Sequence, residues 1–170
     1  MNDVTSQNFG LLIAYVLPGF ILLWGLEPHF PIISDWLGLT AAASPSIGGF
    51  LYVTMASVAL GQIISTLRWL TIDSLHHWTG IRKPILNFSR LKDSVAAFDR
   101  LIDVHYRYYQ WHANGLIAIS MAAVLRWTAN GYRHRELLLL LFVNVLMYLG
   151  SRDTLTKYYR RAEELLRRDF

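Results

Sequence analysis

The stretch IGGFLYVTMASVALGQIISTL, residues 47–67, decides the fold. It holds no charged side chain and ends at Arg68. A helix that crosses a hydrocarbon core of roughly 30 Å needs about 20 mainly apolar residues, and this stretch has that length. The same stretch carries a packing signal. Ser57, Gly61 and Ser65 recur every four residues, and Gly49 lies two such steps earlier. Small residues let helix backbones approach closely where no hydrophobic effect separates helix from lipid.

Three further segments follow the same logic. Residues 9–26 are free of charge, with no basic stretch before them of the kind a cleaved leader carries. Residues 111–129 are apolar apart from His112 and Arg126 near the two ends, and Ala118 and Ala122 offer a second small face. Residues 137–151 are uncharged but short, between Glu136 and Arg152. The expectation is an all-α, polytopic membrane protein. It forms a single membrane domain of four transmembrane helices, with helical cytoplasmic extensions at 68–110 and 152–170 that make a small bundle.

Composition agrees. Hydrophobic residues make up 54% of the chain and charged residues only 16%, against about 25% charged in a soluble domain. There is no cysteine. That removes disulfides, thiolate nucleophiles and cysteine-held metals. The net charge of +4 is unevenly placed. Thirteen of the sixteen basic residues fall in 68–110 or after residue 151, and none falls between residues 27 and 46. By the positive-inside rule those two segments, and both termini, belong in the cytoplasm. The expected location is therefore the inner (plasma) membrane of a bacterial-type cell. On that side eight acids interleave with the basic residues, which points to anionic lipid rather than nucleic acid.

The extensions show helical seams. Leu91, Val95, Phe98, Ile102, His105, Tyr109 and His112 alternate steps of four and three, and Asp103 and Arg107 stand as an i,i+4 acid–base pair. One unbroken helix of about 40 residues is expected there, some 60 Å long. Leu155, Tyr158, Ala162, Leu165 or Leu166, and Phe170 repeat the seam in the tail. Gly80 with Pro84 beyond it should stop the helix that leaves the second span. Asn130-Gly131 should make the turn between the last two spans.

Two sets of residues can carry chemistry. Gln62, Asn114, Arg126 and Asn144 are polar groups at membrane depth, where amides must face protein or water. Arg126 is expected to snorkel to the interface. The two short last spans with their amides would suit a narrowed, hydrated path in an assembly. The second set is Asp73, His76 and His77, at i, i+3 and i+4 on one helix, with His105 on the next. A carboxylate one turn from a histidine can fix its tautomer, as acid–base sites require. No metal-binding motif is recognisable, so no metal or cofactor is expected.

The sequence thus reads as an oligomeric membrane effector, channel-like assembly or membrane partner, without enzymatic activity. It is controlled through its cytoplasmic helices, which leave room for a cytoplasmic protein partner. The alternative is a membrane-interface enzyme using Asp73, His76, His77 and His105.

Overall fold

The computed structural model describes residues 9–39, 46–131 and 134–166. Phe170 and the residues between 40 and 45 lie outside them. The described chain is 89% helical, with no strand. Helix α1 is Phe9–His29, α2 is the short Pro31–Trp36, α3 is Ile47–Trp78, α4 spans 95–130 and α5 is His134–Leu166. Helices α1, α3 and α5 are each long and apolar enough to cross a membrane. Helix α4 is not among them. It is packed by α1, α3 and α5 together, so much of its surface meets protein. Ala113, Asn114 and Ala118 are fully buried there.

Helix α1 sits between α3 and α4, and α5 lies against α4. Glycines set the closeness of the first two contacts. A Cβ added at Gly19 would stand 1.8 Å from the Ser57 carbonyl oxygen, and one at Gly61 would stand 2.2 Å from the Tyr15 carbonyl oxygen. Backbone therefore touches backbone. Gly25 meets Ala122 of α4 in the same way, at 2.5 Å from its Cα. The small face of residues 57 and 61 is thus occupied within the chain, by α1. Gly49 faces the Trp36 carbonyl, Ser65 is half-buried, and Ala118 packs with Leu22 and Ile64.

One end of the bundle carries the basic segments. Here α3 ends at Trp78 and Gly80 takes the left-handed conformation, φ +100°. The chain then returns, pinned by the Asn87 amide donating to the Leu166 carbonyl. The expected unbroken helix does not include the start of its seam at Leu91. A 3₁₀ turn covers Phe88–Asp93, with Asn87 as its cap, and α4 begins at Val95.

Three π turns interrupt the long helices: Leu12–Val16 in α1, Trp69–Asp73 in α3 and Ile102–Tyr106 in α4. They move the seams read from the sequence. A π turn is wider than an α turn, so residues beyond it change face. Over residues 95–114 the buried positions of α4 are Leu101, His105, Tyr109, Gln110, Ala113 and Asn114, whereas Ile102 and His112 are only half-buried and Val95 is 49% exposed. The Asp103–Arg107 pair does not form either. Asp103 lies inside the π turn and Arg107 just beyond it, and Arg107 donates to Gln110 instead. On α5, which has no π turn, Leu155, Ala162 and Leu166 are buried as the seam requires.

Candidate functional site

Arg68 closes the apolar run of α3 and is only 5% exposed. Its guanidinium donates to Asp73 at 3.3 Å. In a regular α-helix two residues five apart point about 140° away from each other. The π turn Trp69–Asp73 between them brings Asp73 back round to Arg68. From α4, the buried Tyr109 hydroxyl donates to the same carboxylate, and the guanidinium stands 5.2 Å from the centre of the Tyr109 ring. Asp73 is therefore an acceptor shared by two helices, and the Arg68 charge is balanced where water is scarce.

The same level holds α1 to α4. Gln110 donates to the Tyr15 hydroxyl at 2.9 Å, and Asn114 donates to the Ala14 carbonyl at 2.7 Å. Ala14 and Tyr15 both belong to the π turn of α1, where carbonyls are released from the regular ladder and need other donors. So a polar collar of Arg68, Asp73, Tyr109, Gln110 and Asn114 meets two of the π turns. The third is the turn just before Tyr109.

The four residues expected as an acid–base cluster do not converge. Asp73 belongs to the collar. His76 is fully buried next to the collar, its ring 6.1 Å from that of Tyr109, and is stacked on Tyr148 with centroids 5.2 Å apart. Its Nε2 meets the Ser151 hydroxyl at 2.9 Å. Ser151 donates its one hydrogen to the Tyr148 carbonyl, so His76 supplies the N–H and ties α3 to α5. His77 faces outward and meets the Tyr159 hydroxyl at 3.3 Å, with parallel rings. His105 lies apart, accepting from Arg161 beside Arg100 and Leu165. Burial, with the charges of Arg161 and Lys157, holds its pKa below the ordinary histidine value. The division has a simple cause. His76 and His77 are about 100° apart around α3, so His76 turns into the bundle and His77 outward. Among the described residues no three of His, Asp and Glu gather as metal ligands.

Asp73 and His77 instead line a cavity of about 400 Å³ at the basic end. Trp69, Leu70 and Ser74 of α3, Lys83 of the return loop, Tyr106 of α4, and Tyr158 and Tyr159 of α5 complete its walls. The Tyr106 and Tyr158 rings are 5.0 Å apart, and those of Tyr158 and Tyr159 are 5.7 Å apart. Arg152 donates twice to Thr79, fixing the end of α3 and hence the loop that carries Lys83.

The remaining polar residues fall elsewhere. Asn144 donates to Ser120 at 3.0 Å, joining α5 to α4. Arg126, whose side chain is 27% exposed, is held against α1. It donates to the Trp24 carbonyl, pairs with Glu27 at 3.3 Å and lies 4.0 Å over the Trp24 ring. It thereby fastens α4 to α1 beside an apolar cleft of about 870 Å³ at the opposite end. Gln62 alone of the expected polar set is exposed, on the outer surface of α3.

Arg68, Tyr109, Gln110 and Tyr15 were not legible as partners from sequence. Arg68 reads as an ordinary basic flank, and regular helical spacing does not join it to Asp73. Searches of protein-family models, curated proteins and solved structures found no match to this chain.

Proposed function

We propose that the chain is a four-span inner-membrane protein that assembles with copies of itself. It acts as a membrane effector under the control of its cytoplasmic helices. In this reading α4 is the fourth span, sheltered from lipid by its neighbours, and the basic end faces the cytoplasm. The observation that carries the reading is the collar of Arg68, Asp73 and Tyr109 set among three π turns. It stands at the junction between the apolar lengths of α3 and α4 and their basic extensions. A residue taken into or out of a π turn rotates everything beyond it by about 100°. Helices α3 and α4 run through the junction without a gap, so a rotation at the basic end reaches the spans. The collar is what holds one setting.

Gln62 supports assembly. It sits on the open face of α3 between apolar neighbours, where an amide meeting hydrocarbon lacks a partner unless another chain supplies one. Asn114 and Asn144 are bonded inside the chain. A path between copies would therefore run along Gln62 rather than along those two amides.

The test is membrane potential, followed with a sensitive dye in bacteria that overproduce the protein. The parent is expected to depolarise the membrane, and Gln62→Leu, present in equal amount, is expected to do so much less. An unchanged potential with the parent in the membrane would remove the effector reading, and equal depolarisation by both would remove Gln62 from the path.

A further inference from the structure

We propose that the cavity at the basic end is a binding site for a small molecule of the nucleotide class, a planar ring that carries phosphate. This names the chemical class of the controlling signal. It rests on the effector reading for its consequence, though not for the binding itself.

Three features select this ligand. The first is size. About 400 Å³ falls within the roughly 300–1,000 Å³ of small-molecule sites. The second is the wall. Tyr106, Tyr158 and Tyr159 from two helices, with the largely exposed Trp69 of a third at the edge, line one concavity. Rings that merely anchored the bundle at a lipid surface would spread around its outside. Aromatic faces stack on a flat ring with little regard to its identity, which suits a nucleobase. The third is charge. Asp73 is already balanced by Arg68. Lys83 stands at the wall with no carboxylate partner among the described residues, and the exposed Arg82 is its neighbour. A cationic ligand would meet Lys83 beside an occupied carboxylate, whereas a phosphate would complete the charge.

The placement gives binding a consequence. Trp69 and Asp73 are the first and last residues of the α3 π turn, and Tyr106 is the last residue of the α4 π turn. A ring seated among them touches the collar through Asp73. It would favour whichever setting of the two turns fits it best, by the difference in its affinity for the two settings.

The experiment uses the full chain in phosphatidylcholine nanodiscs, with AMP and GMP as probes and adenosine and inorganic phosphate as partial ligands. Melting temperature and tryptophan fluorescence are the readouts. At least one nucleotide should bind saturably, with adenosine and phosphate each about tenfold weaker or more, since stacking and charge both contribute. Lys83→Met, a change at an exposed position, should weaken the nucleotide about tenfold at unchanged helix content. Tyr158→Leu should weaken adenosine and nucleotide alike. No saturable binding of either nucleotide would overturn the proposal, as would Lys83→Met binding like the parent. Adding phosphatidylglycerol tests a headgroup as the source of phosphate. Stabilisation by that lipid through Lys83, with no nucleotide effect, would also overturn it. Saturable nucleotide binding that leaves the dye signal of producing cells unchanged keeps the site and removes the effector reading.

Discussion

Gly61→Leu is expected to force α1 away from α3 and to destabilise the folded chain by about 3 kcal/mol or more. Overpacking typically costs about 1–3 kcal/mol, because neighbours shift to make room. Here little can shift. The first added carbon already falls 2.2 Å from the Tyr15 carbonyl oxygen, and that oxygen belongs to backbone. Gly19 faces Ser57 across the same contact, at 1.8 Å, so relief on one side tightens nothing useful on the other. Tyr15 also receives the Gln110 bond, so displacing it disturbs α4 as well. Gly48→Leu is the control. Its nearest atom is 3.9 Å away, and the position faces outward. Thermal melting of the solubilised proteins should separate them, with Gly61→Leu well below the parent and Gly48→Leu beside it. Equal melting of Gly61→Leu and parent would mean that α1 and α3 do not cross at this point.

Asp73→Ala should open the basic end while leaving the rest of the bundle closed. It strands the Arg68 guanidinium, whose side chain is 6% exposed, and it removes the acceptor of the Tyr109 hydroxyl. Breaking a buried pair from one side costs about 3–5 kcal/mol, whereas replacing both partners with apolar groups of similar volume is often neutral. The double variant Arg68→Met, Asp73→Leu should therefore regain most of the loss. Hydrogen exchange is the measurement. In Asp73→Ala, amides of Ser74–Trp78 and Ile102–Tyr106 should exchange faster, with those of Leu17–Leu26 near parental rates. Parental exchange throughout would show that the collar does not hold the junction.

These two positions mark how far the sequence can be read. Gly61 was visible because its spacing to Ser57 and Ser65 is the regular four of an α-helix. What the spacing leaves open is the partner, and Gly19 and Tyr15 on α1 carry no repeat that would announce them. Gly80 and the tail seam of Leu155, Ala162 and Leu166 were visible for the same reason, since each obeys regular helical rules. The collar was not. Arg68 meets Asp73 only because a π turn intervenes, and the bond from Tyr109 crosses between helices. The same irregularity displaced the α4 seam and separated Asp103 from Arg107. Helix α4 shows the opposite effect. Its polar residues weaken it as a lipid-facing span, yet they are the ones that bond to α1 and α5.

Reporter fusions placed after Arg90, Phe170, Ala42 and Gly131 test the membrane arrangement, on which the rest of the account depends. Four spans with the basic end inside predict cytoplasmic signals at Arg90 and Phe170, and external signals at Ala42 and Gly131. The Gly131 fusion is decisive, because it reports whether α4 crosses the membrane between α3 and α5. A cytoplasmic signal at Gly131, or an external one at Phe170, would contradict the account.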